Sequence, residues 1–342
     1  MPDILVEAEG RVGRIRLNRP KALHALTTDM CLTILDTLAE FEAREDVACV
    51  VIDHAEGRGF CAGGDIRMLA ESGRGDGSEA RAFFLAEYRM NHRLFHYSKP
   101  TVAVMDGVTM GGGVGIALPC RYRIATGNTK FAMPETGIGL FPDVGGGWYL
   151  PRLPGNTGMF LALTGARLDG PECLALGLAT HYLPSEAVAG AIDALHDAGD
   201  IDAVLDRASV PPPSPPRIVQ NFDAIDRLFG GDSVAAITAA LEQDGSEWAT
   251  RELATLRSKS PLSCAVAHRQ LREGAAIPDF ASEMAREYAI GARMVHTHDF
   301  IEGVRALIVD KDNRPQWRPD VDPAEVDAIF APLPAGEEWT PA

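Results

Sequence analysis

The chain has 342 residues, of which 46% are hydrophobic and 23% are charged, and its formal net charge is −16 at pH 7. A chain of this length and composition can bury a large core, which favours one large domain or one domain with an appendage. The acidic balance argues against a general nucleic-acid-binding protein, because neutralising phosphates requires an excess of Lys and Arg. A polyanionic ligand must therefore meet a local group of cations.

The N-terminal residues and the apolar segments predict a cytoplasmic protein that does not bind a membrane. The start MPDILVEAEG has acids where a signal peptide needs basic residues and an apolar run, so we expect no export. The longest apolar stretch, 108–118, is interrupted by glycines and is shorter than the roughly 18 residues of a membrane helix. The six cysteines show no pair at metal-ligand or redox spacing, and most are expected to be buried.

Runs of alternating or continuous apolar residues predict the strands, and apolar residues three or four positions apart predict the helices. The predicted strands are, in chain order, 4–9, 12–17, 48–53, 101–106, 121–126, 129–133 and 179–183. Helices are predicted from Asp29, with Thr27 and Thr28 as further possible N-caps, from about Gly112, and from the Asp169 cap to Gly177. The recurring order of strand, strand and helix indicates a mixed α/β core that ends near residue 200.

The segment SVPPPSPP at 209–216 is too rich in proline for a helix or a central strand, so it predicts a surface crossing or linker. Beyond it, 260–272 and 280–294 have the apolar spacing of helices. We therefore divide the chain into a core domain, 1–208, and a region, 209–342, in which a linker and helices pack on that core.

Three glycine-rich segments carry the strongest functional signal: GRGFCAGGDIR at 57–67, MDGVTMGGGVGIAL at 105–118, and FAMPETGIGLFPDVGGGWYLPRL at 131–153. Glycine after a strand lets backbone amides approach a ligand, because no Cβ stands in the way. Two such turns can converge on one oxygen and form an oxyanion hole, which supplies a factor of about 10² to 10³ per donor. Tight strand-to-helix packing would explain one glycine cluster, but three together favour a ligand site.

These segments resemble the two oxyanion-hole motifs and the catalytic segment of the crotonase superfamily, and the resemblance covers most of the chain. With HDFIEGVRALIVDKDNRPQW at 298–317, they are most similar to the branch that hydrolyses 3-hydroxyisobutyryl-CoA in valine breakdown. The resemblance implies an α/β fold, the ClpP/crotonase-like spiral of β-β-α units with a helical C-terminal region. It also implies an acyl-coenzyme A substrate and no separate cofactor.

The resemblance assigns roles by position. The amides of Gly64 and Gly112 would form the oxyanion hole, Glu135 and Asp143 would be catalytic, and Glu87 would line the acyl pocket. The other substrate-binding candidates are Cys61, Ala62, Asp65, Lys21 and Arg67, with Arg19 and Lys311 as further cations for the CoA phosphates. Lys21 lies in NRPKALHAL, which resembles the CoA-contacting segment of the family, whereas Arg67 and Lys311 are equally consistent with solvated side chains.

One departure from the hydratases of the superfamily favours hydrolysis. Gly115 stands where their second glycine motif supplies a catalytic glutamate, so addition of water to a double bond lacks one acid–base partner. Asp143, eight residues after Glu135, supplies a different partner. Because Phe141, Pro142 and Trp148 are apolar, we expect either carboxyl to have a raised pKa and to carry a proton near neutral pH, which suits thiolate departure.

We hypothesise that Glu135 either attacks the thioester carbonyl to form a mixed anhydride or activates water, while Asp143 positions the substrate or moves the proton. The alternatives are an enoyl-CoA hydratase or isomerase that manages with one glutamate, and a non-catalytic acyl-CoA-binding protein. Crotonase relatives are often trimers, so a homo-oligomer is considered. No metal site is expected, because His296, His298 and Asp299 lack a fourth ligand at sensible spacing.

Overall fold

The computed structural model describes residues 2–197 and 199–342. Within these ranges the strands are β1 (Ile4–Glu9), β2 (Val12–Leu17), β3 (Cys49–His54), β4 (Gly59–Cys61), β5 (Thr101–Met105), β6 (Val108–Met110), β7 (Tyr122–Ala125), β8 (Lys130–Ala132) and β9 (His181–Tyr182). The strands predicted from the sequence are confirmed within a few residues at each end.

The α-helices of the described residues are α1 (Thr28–Ala43), α2 (Ile66–Gly73), α3 (Ser78–Phe95), α4 (Gly112–Ala117), α5 (Gly146–Tyr149), α6 (Thr157–Thr164), α7 (Gly170–Ala175), α8 (Val188–Leu195), α9 (Ile201–Ala208), α10 (Phe222–Leu228), α11 (Val234–Asp244), α12 (Glu247–Arg257), α13 (Pro261–Gly274), α14 (Phe280–Met294), α15 (His298–Val304) and α16 (Pro323–Phe330). Short 3₁₀ turns are at Pro20–Ala22, Glu135–Gly137, Leu150–Arg152, Ser185–Ala187 and Arg217–Asn221, and a π turn is at Arg305–Val309. Within residues 2–197 and 199–342, no helix combines the length and the apolar character that crossing a membrane requires.

Two sheets alternate along the chain. The larger sheet has the order β1-β2-β3-β5-β7-β9 among the described residues, with β1 and β2 antiparallel and the other neighbours parallel. The smaller sheet has the order β4-β6-β8, and its strands are parallel. Each turn of the chain thus adds one strand to the larger sheet and the next strand to the smaller one, which gives the predicted repeat of strand, strand and helix.

The residue types explain these elements. All the residues of β5, and all of β3 except His54, are buried, as expected for parallel strands covered on both faces. The Oγ1 of Thr27 accepts a hydrogen bond from the Met30 amide at 3.3 Å and caps α1. At α7, Asp169 and Glu172 form a reciprocal capping box. The predicted starts of both helices are therefore confirmed to within one residue.

The C-terminal helices pack against the α/β core. Residues 209–216 form neither helix nor strand, as predicted from their prolines, and α10 to α16 follow. The ring of Phe280 on α14 stacks on Phe95 of α3, with centroids 4.2 Å apart and planes inclined by 8°. One large cluster of buried apolar residues has members in both regions, and a second, smaller cluster lies within residues 12–205. The domain boundary at 208/209 stays a prediction.

The sequence analysis missed α2 and α3. Helix α3 is the longest helix in the described residues, but its core-facing side includes Glu87 and Asn91 among apolar residues. A stripe that contains buried polar residues does not have the simple period of an amphipathic helix. The missed helix is the one that contributes Glu87 to the site described next.

Candidate active site

The smaller sheet brings the three glycine-rich segments together. Because β4, β6 and β8 are parallel neighbours, their carboxyl ends point the same way. The chain leaves these ends through turns at 62–64, 110–112 and 133–135. In α/β sheets, ligands bind beyond the carboxyl ends of strands, where such turns meet. The pairing of three short strands therefore builds one site from segments far apart in the sequence.

The turns open onto a cavity of about 130 Å³. Its wall joins glycine backbone, apolar side chains and carboxyl groups. The apolar part includes Ile66, Leu69, Phe83, Phe84, Met110, Ile138 and Leu140. The cavity brings together Ala62, Gly64, Glu87, Gly112, Glu135 and Asp143, all of which the sequence analysis singled out. An apolar pocket with a few convergent polar groups is the usual form of a small-molecule site.

The amides of Gly64 and Gly112 are free to bind a substrate oxygen. Among the residues that the structure describes, neither N–H has a hydrogen-bond acceptor, and Gly112 begins α4, so its N–H has no acceptor within the helix. A Cβ built on Gly63 would lie 3.9 Å from the nitrogen of Gly112, so the two turns are adjacent. Two unpaired amides beside one cavity are what an oxyanion hole requires.

The three carboxyl groups of the cavity are almost fully buried. Glu87, Glu135 and Asp143 are 2%, 4% and 5% exposed. The Oδ2 of Asp143 accepts a hydrogen bond from Tyr88 Oη at 2.8 Å. In contrast, Glu87 Oε1 and Glu135 Oε2 have no partner within residues 2–197 and 199–342. Unpaired buried oxygens are costly, so they mark a place where a bound molecule can donate hydrogen bonds.

Burial raises the pKa of Glu87 and Glu135 well above their usual range, and the charge of Asp143 raises both further. Burial also raises the pKa of Asp143, to about 6, although the hydrogen bond from Tyr88 opposes this rise. The described lining residues include neither Lys nor Arg, so the three carboxyl groups cannot all ionise at low cost. The pKa values of Glu135 and Asp143 are thus raised in the direction that their apolar surroundings predict.

The space beside Gly115 is already filled. A Cβ built on this glycine would lie 2.6 Å from Val144 Cβ and 2.8 Å from Asn91 Nδ2. A glutamate at this position would therefore displace the residue that follows Asp143. The structure nevertheless supplies a second glutamate to the cavity, because Glu87 enters from α3, and its Oε1 would collide with a Cβ on Gly112. The absence of a glutamate at Gly115 alone is thus a weaker argument against hydration than the sequence suggested.

We expect Gly115→Ala to destabilise the protein by about 1 to 3 kcal/mol, because the added methyl group overpacks a buried contact with Val144. Urea denaturation of the wild type and the variant measures the difference. The control is Gly190→Ala in α8, where a Cβ meets no atom within 4 Å among the described residues. That change is expected to stabilise by roughly 0.5 to 1 kcal/mol, since alanine favours the helix. Equal stability of the Gly115→Ala variant and the wild type would show that the turn at Val144 accommodates the methyl group without a cost in free energy.

The other predicted site residues lie outside the cavity lining. Cys61 is buried, and its Sγ donates to the carbonyl oxygen of His24 at 3.2 Å. Asp65 caps α2 by accepting from the Met68 amide at 3.3 Å. The guanidinium of Arg19 lies 3.6 Å from Asp3 and 3.9 Å from Asp65, so its charge is already partly paired. Of the cations predicted to bind the CoA phosphates, Lys21, Arg67 and Lys311 are exposed. The structure does not bring these three cations into the cavity wall.

Tyr88 is a residue of the site that the sequence analysis missed. It is fully buried and bonds to Asp143, although the two residues are far apart in the sequence. The spacing of Phe84, Tyr88 and Asn91 could have indicated that Tyr88 lies on the buried face of a helix. Only the packing of α3 against the turn at Asp143 identifies its partner.

His296, His298 and Asp299 have separate structural partners. His296 Nδ1 bonds to the carbonyl oxygen of Gly73 at 2.8 Å, and His298 Nε2 to that of Gln316 at 2.9 Å. Asp299 accepts a hydrogen bond from the Ser260 hydroxyl. Across the part of the chain that the structure describes, no group of three or more His, Cys, Asp or Glu residues is placed to hold a metal ion.

Comparisons with known proteins give the same family throughout. A family model described as enoyl-CoA hydratase/isomerase matches residues 12–330. The chain is 41% identical to the mitochondrial 3-hydroxyisobutyryl-CoA hydrolase of Danio rerio, over 97% of this chain and 90% of the relative. It is 38% identical to the Homo sapiens protein of the same name, over 93% and 84% of the two chains.

Solved structures confirm the predicted crotonase fold. A carnitinyl-CoA dehydratase from Mycobacterium thermoresistibile superposes with a TM-score of 0.94 and 38% identity, covering 99% of this chain and 98% of that one. An enoyl-CoA hydratase from Rhodobacter sphaeroides 2.4.1 gives 0.91 and 38%, covering 99% and 100%. The names of the relatives therefore divide between hydrolysis of a thioester and addition or removal of water.

Proposed function

The chain belongs to the enoyl-CoA hydratase/isomerase family, and we propose that it hydrolyses the thioester of 3-hydroxyisobutyryl-CoA to 3-hydroxyisobutyrate and free coenzyme A. The observation that carries this proposal is the joint placement of two unpaired amides and the Glu135–Asp143 pair around one buried cavity. The curated relatives named for this hydrolysis match nearly the whole chain, which supports the choice among reactions of the family.

The cavity can stabilise the charge that develops on the substrate. The thioester oxygen accepts hydrogen bonds from the amides of Gly64 and Gly112, which favour the negative oxygen of the tetrahedral state over the neutral carbonyl. The apolar wall formed by Phe83 and Leu140 excludes water from the acyl group. The unpaired Glu87 Oε1 is available to accept a hydrogen bond from the hydroxyl of the acyl chain.

Two routes share this geometry. In the first, a Glu135 oxygen bonds to the carbonyl carbon, the carbon–sulfur bond breaks, and water then hydrolyses the mixed anhydride. In the second, Glu135 takes a proton from water while the water oxygen attacks the same carbon. In both, the departing thiolate takes the proton that the carboxyl groups of the cavity retain. Single turnover in ¹⁸O-water identifies the anhydride route when water attacks the Glu135 carbonyl, because the product then carries an unlabelled oxygen from Glu135 and the enzyme takes up ¹⁸O.

We propose that exposed cations outside the cavity bind the CoA phosphates. Lys21, Arg67 and Lys311 are exposed, and none of the three forms an ion pair within residues 2–197 and 199–342. Charge-assisted hydrogen bonds from these cations would attract the CoA phosphates locally, although the net charge of the whole chain is −16. Homo-oligomer formation and the cytoplasmic location stay predictions. The curated relatives described above are named as mitochondrial.

Hydration is a second candidate, because Glu87 gives the cavity a second glutamate and solved relatives are described as a hydratase and a dehydratase. A thiol-release assay over short CoA esters decides between the reactions. We expect 3-hydroxyisobutyryl-CoA to release thiol at least about tenfold faster than propionyl-CoA, because only the former has a hydroxyl group that can donate a hydrogen bond to Glu87 Oε1. Crotonyl-CoA is expected to keep its conjugated absorbance.

The assay has two outcomes that would contradict hydrolysis. Loss of crotonyl-CoA absorbance without thiol release from any ester would assign the site to hydration. Tight binding of CoA esters with neither reaction would assign it to a non-catalytic acyl-CoA-binding protein. Boiled enzyme serves as the control for spontaneous thioester hydrolysis.

A further inference from the structure

The turn that carries Asp143 is strained at the next residue. Val144 has a φ of 52°, in the left-handed region that favours glycine, and Gly145 follows with a φ of 93°. A β-branched residue rarely adopts this conformation, because its side chain approaches the adjacent carbonyl oxygen. Such backbone persists only where the surrounding structure holds it. The contacts that hold Val144 therefore bear on the position of Asp143.

Two helices of the C-terminal region supply these contacts. Glu287 on α14 accepts hydrogen bonds from the amide of Gly145 at 2.8 Å and from the amide of Gly147 at 3.0 Å. Gln270 on α13 donates from Nε2 to the carbonyl oxygen of Pro142 at 2.9 Å and to Glu287 Oε1 at 3.1 Å. The turn is thus bonded on both sides of the strained residue.

These contacts lie in the interior. Glu287 and Gln270 are each 0% exposed, so water cannot replace a bond that either residue loses. Neither residue belongs to the cavity lining among the described residues. On the opposite side of the turn, Tyr88 holds the Asp143 carboxylate by the 2.8 Å hydrogen bond described above. Asp143 is therefore located by α3 on one side and, through its turn, by α13 and α14 on the other.

We propose that Glu287, supported by Gln270, is a positioning residue that keeps the Asp143 carboxylate against Tyr88 by holding the strained turn at Val144. The C-terminal helices thereby take part in the chemistry without contacting the substrate. This inference rests on the proposed hydrolysis, in which Asp143 has a catalytic role.

The test is Glu287→Gln, which keeps the side-chain volume but presents an N–H₂ group to one of the two amides and so breaks at least one bond. We expect kcat to fall about 10- to 100-fold, as a misplaced catalytic group does, while KM changes less than about twofold. A merely structural residue would lower the fraction of folded enzyme and leave the properties of that fraction unchanged.

The pKa of Asp143 gives a second readout whose sign separates positioning from electrostatics. The titratable groups that face Asp143 are those of Glu87, Tyr88, Glu135 and Glu287. Removing the like charge of Glu287 alone would lower the pKa of Asp143 or leave it unchanged. Loss of the Tyr88 hydrogen bond through movement of the turn would raise it above its value of about 6. We expect the rise.

The ¹³C resonance of the Asp143 carboxyl group, assigned by its disappearance in Asp143→Asn, reports this pKa directly. The matched control is Glu283→Gln, because Glu283 is equally buried on α14 but pairs with Arg286, 2.7 Å away. In this control, the pKa of Asp143 is expected to equal that of the wild type. Gln270→Met, which removes the bonds to Pro142 and Glu287, is expected to shift the pKa in the same direction by a smaller amount and serves if Glu287→Gln does not fold.

The titration needs no substrate. If the wild type releases no thiol from any ester, the proposed hydrolysis fails while the positioning of Asp143 is still decided by the pKa. An unchanged or lowered pKa of Asp143 in both variants, or a shift equally large in Glu283→Gln, overturns the inference.

Discussion

Glu135→Gln is expected to lower kcat by about 10²- to 10⁴-fold, since both routes need an ionised carboxylate beside the thioester carbonyl and an amide cannot supply one. The side chain is buried and its Oε2 is unpaired within the described residues, so the substitution breaks no contact of that oxygen. Thiol release under saturating 3-hydroxyisobutyryl-CoA measures the change, and KM is expected to stay within a few-fold of the wild type.

The same variant is expected to be more stable than the wild type at pH 8. The pKa of Glu135 is raised in the folded protein, so the folded state binds more protons than the unfolded chain once the pH exceeds the unfolded pKa. The wild type therefore loses stability as the pH rises from about 4.5 towards the folded pKa, whereas the glutamine variant does not. Thermal unfolding at pH 4 and pH 8 should show the gain at the higher pH only.

Glu252→Gln is the matched control for Glu135→Gln. Burial raises the pKa of Glu252 as well, but this residue is on α12, outside the lining of the catalytic cavity. We expect turnover unchanged and a smaller gain in stability at pH 8. Near-full turnover of Glu135→Gln would remove this residue from the mechanism and with it the proposed route of hydrolysis.

Asp143→Asn is expected to lower kcat by about 10²- to 10⁴-fold and to change the pH dependence. Of the three buried carboxyl groups, only Asp143 accepts a hydrogen bond from Tyr88, which favours its charged form and places its pKa at about 6. Glu135 can act as nucleophile or base only once a carboxyl group of the cavity has ionised and a proton has passed from Glu135 to Asp143, so the wild-type kcat/KM should fall about tenfold per pH unit on the acid side. In Asp143→Asn, Glu87 or Glu135 is the first carboxyl group of the cavity to lose its proton. The fall of kcat/KM on the acid side should therefore begin at a higher pH than in the wild type.

Rates from pH 4.5 to 8.5 with a thiol-release assay test this expectation. Tyr88→Phe is the companion variant, because it removes the hydrogen bond but keeps the carboxyl group, and it should move the acid limb upward with a smaller loss of kcat. An acid limb that stays near pH 6 in Asp143→Asn would assign that ionisation to another group.

The glycine-rich segments illustrate how far the sequence could be read. Glycine after an apolar strand is a local signal, and it identified the three segments, within which the family resemblance assigned roles to Gly64, Gly112, Glu135 and Asp143. The structure places all four around one cavity. The hairpin at 4–17 and the proline-rich crossing at 209–216 were equally local, since alternation and proline content act on the backbone directly.

Long-range contacts were not accessible in this way. The sequence could not show that Val144 and Asn91 fill the space beside Gly115. The resemblance placed Glu87 in the acyl pocket, but the helix α3 that carries it was missed because buried polar residues interrupt its apolar period. It also gave no sign that Glu287, in a helix recognised only as apolar and periodic, bonds to the turn after Asp143.

By itself, the sequence determined the family resemblance, the repeat of strand, strand and helix, and the three glycine-rich segments in which the resemblance places the site residues. The tertiary structure alone decided which charges share a cavity, how their pKa values rise, and which distant side chains fix Asp143. The reason is physical: propensity and turn geometry depend on neighbours in the chain, whereas desolvation, like-charge repulsion and hydrogen bonds across the core depend on neighbours in space.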